Sequence, residues 1–101
     1  LRFKFKSRKL AALYTEEKDV HKYPSAAVDT FFDVMGIIDA ALDERDLYAL
    51  KGLRYKKLKG ARKYQRSIRL NQQYRLILEL ERDDQGRYIL IVDIEDYHWV
   101  K

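Results

Sequence analysis

Residues 74–94 constrain the fold most, because they prescribe a β-hairpin whose arms must be covered by other parts of the chain. Tyr74, Leu76, Leu78 and Leu80 alternate with Arg75, Ile77, Glu79 and Glu81. That period of two places one set of side chains on each face of a strand. Asp83-Asp84-Gln85-Gly86 supplies turn formers where the alternation stops. Tyr88 to Ile94 then runs apolar almost throughout, so the returning arm is expected to be a central strand buried on both sides.

The covering layer is read from residues 24–42. Pro24 suits a first helical turn. Val28, Phe31, Met35, Ile38 and Leu42 then recur at spacings of three and four, widened by Phe32, Ile37 and Ala41, while Asp29, Asp33 and Asp43 fall on a different side. Gly36 marks close packing or a slight bend inside this helix, not its end. Upstream, Leu1, Phe3 and Phe5 alternate with Arg2, Lys4 and Lys6, a half-buried strand. Ser7 can cap a short helix in which Leu10, Leu13 and Tyr14 share one side. Residues 15–23 are polar and read as a link. Glu44 to Leu50 predicts one more turn of helix. Arg54 to Leu58 and Tyr64 to Leu70 predict short strands, the second with Tyr64, Ile68 and Leu70 on one side and followed by a turn at Asn71-Gln72-Gln73. The order β-α-α-β-β-β-β is that of an α+β fold: two N-terminal helices on one face of a small, curled, mainly antiparallel sheet, with residues 1–101 as one domain.

Composition removes several classes. With 47% apolar and 13% aromatic residues the chain can build a core, which excludes disorder along its whole length. It has no cysteine, which removes disulfides, thiolate metal sites and cysteine nucleophiles and fits a reducing, cytoplasmic setting. No apolar run approaches the roughly 20 residues of a spanning helix, so no membrane partner is expected. The formal charge is +5, and its distribution is uneven. Residues 51–75 hold ten lysines and arginines and no acid, whereas residues 26–50 and 76–101 are net acidic. Such a basic stretch repels itself unless folded neighbours or a polyanion offset it, and it has the character of a phosphate-backbone footprint. Arg54, Lys57, Arg62, Lys63, Arg66 and Arg69 are the expected RNA-binding side chains.

Chemistry is narrowed by what is missing. His21 and His98 have no ligand-like spacing, the four glycines are scattered singly, and no nucleophile elbow occurs, so no metal and no cofactor is expected. What remains is a set of strand ends and turns: Lys56-Lys57-Leu58-Lys59-Gly60-Ala61-Arg62, then Arg75, then Glu95-Asp96-Tyr97-His98. Cleavage of RNA without metal needs a base for the 2′-hydroxyl proton, an acid for the leaving 5′-oxygen and cations around the phosphorane. Lys, Arg, Tyr and His side chains can supply all three. His98 alone among these titrates near neutrality when unperturbed.

These residues resemble the HigB-type toxins of the RelE/ParE superfamily, the plasmid maintenance system killer proteins of bacterial toxin–antitoxin modules. The similar parts are Leu53-Arg54, Leu58-Lys59-Gly60-Ala61-Arg62, Ser67-Ile68 with Asn71 and Tyr74-Arg75-Leu76, and Asp93-Ile94-Glu95-Asp96-Tyr97-His98. The resemblance implies a RelE-like fold and a metal-independent endoribonuclease that cuts messenger RNA in the ribosomal A site and inhibits growth. It implies roles for Lys59, Arg75, Asp96, Tyr97 and His98, and places Lys56 where some active relatives have histidine. A lysine there serves better as a base if crowding by Lys57 and Lys59 lowers its pKa. Implied partners are a cognate helix-turn-helix antitoxin, the ribosome and, through the antitoxin complex, operator DNA. The alternative is a nucleic-acid-binding or gyrase-directed toxin of the same superfamily that cleaves nothing.

Overall fold

The structure, a computed structural model, describes residues 1–96. Strand β1 (Phe3–Phe5) leads into helix α1 (Arg8–Glu16), and α2 (Ser25–Ala40) and α3 (Glu44–Ala49) follow before the remaining strands β2 (Lys56–Lys57), β3 (Gln65–Arg69), β4 (Tyr74–Asp83) and β5 (Gly86–Asp96). Each helix starts where the sequence supplies a cap or a fixed dihedral angle. The Ser7 hydroxyl accepts from Leu10 N at 3.2 Å, Pro24 precedes α2, and an Asp43 carboxylate oxygen accepts from Arg45 N at 2.8 Å. That last cap makes residues 44–49 a third helix, where two were expected.

The hairpin of β4 and β5 forms the centre of the sheet. Its register closes down to the pair Asp83–Gly86, leaving Asp84-Gln85 as a two-residue turn. Gly86 sits at φ 109°, a conformation that disfavours any side chain. β3 and then β2 add antiparallel beyond β4, and β1 adds parallel beyond β5, giving the order β1-β5-β4-β3-β2. The expectation of a curled sheet is therefore corrected: the sheet is open, and although three of its four pairings are antiparallel, the parallel β1 makes it mixed. Closure would need pairing between β1 and β2, and these are edge strands of three and two residues at opposite ends of the order.

A bulge decides which residues of β5 reach the core. Ile77 pairs with Asp93 but Leu78 pairs with Ile91, so Val92 is an extra residue and the alternation shifts by one. Ile89, Ile91 and Ile94 consequently all enter the core, although Ile91 and Ile94 are three apart. Asp93, which strict alternation would turn inward, is exposed, and Leu90 and Val92 are only half-buried. The central strand is thus fully buried on one side only, which corrects the expectation of burial on both.

Against the core side of the sheet lies α2, through Ala27, Phe31, Val34, Met35 and Ile38, with Leu10 and Leu13 of α1 and Leu47 of α3 completing the layer. Phe31 is fully enclosed and touches the rings of Tyr14 and Phe32 edge-on. Leu42, read as the end of the stripe, lies past the helix end and is 86% exposed. Tyr64, expected beside Ile68 and Leu70, is also exposed. Among the described residues no helix is long and apolar enough to cross a membrane.

The edge strand β1 is pinned to the hairpin turn by charge. Arg2 grips Asp83 at 2.6 and 3.0 Å, Lys4 reaches the same carboxylate at 2.9 Å, and both cations lie over the Tyr88 ring. The Arg2 and Lys4 hydrogen bonds hold the Asp83 carboxyl well below the usual aspartate range. A depressed native pKa gives stability above the unfolded value of about 3.9 that is lost as pH falls through the native one. Asp83→Asn should therefore unfold at lower urea than the unsubstituted protein at pH 7, and this gap should narrow steadily below about pH 4. A gap that stays constant with pH would detach the effect from these ion pairs.

Candidate active site

Arg75 lies at the start of β4 on the sheet face away from α2, with only 3% of its surface exposed. A guanidinium stays charged at any accessible pH, so burial demands partners. Two are built by neighbouring segments. Arg75 Nε donates to the hydroxyl of fully buried Ser67 in β3 at 3.0 Å, and a terminal nitrogen donates to the Arg54 carbonyl at 3.1 Å. That carbonyl belongs to a residue with φ 50°, a left-handed conformation uncommon for a side-chain-bearing residue. It turns the chain from the helical turn Lys51–Leu53 toward β2.

Above this anchor is a cleft of about 340 Å³ walled by Tyr48, Leu50, Lys51, Arg54, Tyr55, Lys56, Arg69 and Arg75. A second hollow of about 340 Å³ adjoins it, lined by Lys56, Lys57, Leu58, Lys59 and Arg62. Lys56 belongs to both. Partial loss of hydration, then the positive charges of Arg75 and Lys59, hold the Lys56 ammonium below the ordinary lysine pKa. Lys57 is not the cause, although it is adjacent in sequence. Among the described residues neither lining includes a carboxylate, and the pair of hollows presents concentrated positive charge suited to an anion.

The carboxylates bordering this region are engaged. Glu95 takes both terminal nitrogens of Arg62, at 2.8 and 2.7 Å, and that pair holds its pKa below the usual glutamate range. Arg62 Nε donates to Gln65 Oε1 at 2.8 Å, and the Gln65 amide donates to Glu79 at 3.0 Å. This chain of bonds ties the turn Gly60–Arg62, which Lys59 precedes, to the sheet. Gly60, at φ 67°, supplies the left-handed step that the turn needs. On the other flank Glu44 accepts from the Tyr55 hydroxyl at 2.8 Å and from Arg66 Nε at 2.9 Å. Burial and the adjacent Glu44 push the Tyr55 phenol far above its ordinary pKa, so it stays a neutral donor.

The structure thus gathers Lys56, Lys59 and Arg75, with Arg54 and Arg69, around two adjoining hollows, and Lys57 lines one of them. Arg62 and Arg66 are committed to glutamates, and Lys63 is exposed outside both linings. Asp96 ends β5, exposed, and accepts from the Gln73 amide at 3.0 Å. Tyr97 and His98 lie outside the described residues. Reading the sequence missed Tyr48, Lys51 and Tyr55 as cleft walls and gave Ser67 no role. Ser67 left no signal, since it stands between Arg66 and Ile68 in a polar stretch and nothing in the sequence marks it as buried. The tyrosines left none either.

A model of the family described as the RelE-like toxin of the type II toxin–antitoxin system HigB matches residues 3–98. Toxin HigB-1 of Vibrio cholerae is 39% identical over 75 residues, covering 74% of this chain and 79% of that protein. In fold, the chain is similar to a YoeB/ParE toxin from Agrobacterium tumefaciens, with TM-score 0.58 and 12% identity over 97% of this chain and 100% of that one. It is also similar to a chain of the YoeB-YefM complex from Staphylococcus aureus, with TM-score 0.56, 23% identity and 98% of each chain covered.

Ser67→Ala takes away an acceptor from a buried charged donor and should cost about 1–3 kcal/mol in urea unfolding. A loss below about 0.5 kcal/mol, the range of ordinary surface substitutions, would show that Ser67 does not anchor Arg75.

Proposed function

The chain belongs to the HigB family of RelE-like toxins of type II toxin–antitoxin systems, and from that membership we propose that it is a metal-independent endoribonuclease cutting messenger RNA on the translating ribosome. The observation that carries the reading is the position of Lys56, in both hollows and within the field of Arg75 and Lys59, where its pKa is lowered. A cationic pocket binds phosphate; one holding an amine with weakened affinity for its proton can also accept a proton.

Lys56, as the neutral amine, takes the proton of the 2′-hydroxyl. The 2′-oxygen attacks the adjacent phosphorus, Arg75 and Lys59 stabilise the charge that builds on the phosphorane, and the bond to the 5′-oxygen breaks. His98 or Tyr97 delivers a proton to the leaving oxygen, and Asp96 beside them orients that end of the site. Fixed cations supply the charge stabilisation, so no metal takes part in these steps. Arg54, Lys57, Lys63 and Arg69 contact the flanking backbone, while Arg62 and Arg66 contribute field from their ion pairs. A cognate helix-turn-helix antitoxin restrains the toxin in the cytoplasm, with operator DNA bound through their complex.

The purified toxin, given translating ribosomes, should leave a 2′,3′-cyclic or 3′-phosphate on one product and a free 5′-hydroxyl on the other. A single 2′-deoxy substitution at the cut site should abolish cleavage. Arg75→Lys keeps the charge but loses the fork and should slow cleavage by about 10²-fold or more. Direct formation of 5′-phosphate ends would reject this chemistry. The absence of any cleavage would favour a toxin that binds nucleic acid or gyrase without cutting.

Acidity gives a separate test. A base works deprotonated, and a lowered pKa raises its neutral fraction at any pH below that pKa. Single-turnover cleavage should rise from pH 6 to 9 along a limb whose midpoint lies below the ordinary lysine value of about 10.4. Lys56→Arg, charged throughout this range, should remove the limb attributable to residue 56. An unchanged limb in that variant would assign the base elsewhere.

A further inference from the structure

Two apolar side chains in the cationic cleft are left half in water: Tyr48 of α3, 49% exposed, and Leu50 just beyond it, 47% exposed. The Tyr48 ring is exposed but held in place. It meets Tyr55 edge-on, with centroids 4.8 Å apart at 80°. Tyr55 is buried, its hydroxyl is fixed on Glu44, and Glu44 is fixed in turn by Arg66. Tyr48 is thus an ordered aromatic surface on the same wall as Arg54, Arg69 and Arg75.

Aromatic faces beside cations are the common device for single-stranded RNA, whose unstacked bases can be splayed onto a ring while the backbone runs along positive charge. A volume of about 340 Å³ falls in the range of small-ligand sites. A duplex would keep its bases stacked on each other, out of reach of the ring. We propose that Tyr48 is a stacking platform for one nucleobase of the single-stranded RNA substrate, next to the phosphate held at Arg75. The proposal rests on the endoribonuclease reading and deepens it by naming the group that seats the base. Because every base has a π-face, the platform sets affinity and position and reads little sequence.

The test uses the full chain and a fluorescein-labelled six-nucleotide RNA made uncleavable by 2′-O-methyl groups, with binding read by anisotropy. Tyr48→Phe should bind as the unsubstituted toxin does. Tyr48→Leu, which keeps an apolar contact with Tyr55, should bind about tenfold more weakly with an unchanged melting temperature. Replacing one nucleotide by an abasic residue should weaken the unsubstituted toxin by a similar factor and Tyr48→Leu hardly at all. Tyr48→Trp provides a second route that does not depend on the leucine variant folding: its indole fluorescence should be quenched by the intact oligonucleotide and not by the abasic one. Equal affinity of Tyr48→Leu and the unsubstituted toxin, multiplicative losses, no quenching or no binding at all would each overturn the platform. Coupled losses in a toxin that cuts no translated RNA would keep the platform and remove the nuclease reading. Undiminished binding by Tyr48→Leu in a toxin that does cut would do the reverse.

Discussion

A permanently charged guanidinium at 3% exposure is the constraint around which the basic side of the molecule is arranged. Arg75 cannot shed its charge, so the segments beside it must present acceptors. β3 offers the Ser67 hydroxyl, and the turn before β2 adopts a left-handed residue that brings the Arg54 carbonyl to the guanidinium. Both hydrogen bonds also preorganise the cation. An arginine held this way does not have to lose side-chain entropy when a phosphate arrives, and electrostatic stabilisation is most effective when its donors are fixed beforehand.

Two other cations of the basic stretch, Arg62 and Arg66, are each joined to a glutamate, Glu95 and Glu44 respectively. These acids come from the two acidic segments that flank the basic one in sequence. Folding thereby offsets part of the repulsion that ten positive charges in 25 residues would create, and the residual positive field falls on the two hollows. Arg62 ties the turn before β3 to the sheet and, with Lys56, Lys57 and Lys59, lines the second hollow.

Much of this was legible in the sequence, for identifiable reasons. Periodicity found β4, the turn at Asp83–Gly86 and α2, because alternation and the 3.6-residue repeat respond directly to burial. It could not find the bulge at Val92, since two residues opposing one is a property of the pair and not of either strand. Nor could it give the sense of β1, whose alternation reads the same whether it runs parallel or antiparallel to β5; with the two edge strands so short, the open mixed sheet replaced the curled one expected. In the site, charge counting located the basic stretch but could not sort Arg62 from Lys59, because the sorting partners lie far away in the chain. Tyr48 and Tyr55 escaped notice because they meet only when α3, which carries Glu44 and Tyr48, packs beside the segment that bears Tyr55.

The central claim, that this cationic site cuts messenger RNA under translation, is tested most directly in cells. The 5′ ends of all messenger RNAs should be mapped after a brief pulse of expression, with an Arg75→Lys pulse as the control. The account predicts new ends confined to translated reading frames, at a fixed position within codons, and lost in the control. New ends spread equally over untranslated RNA, or growth arrest with no new ends, would contradict it.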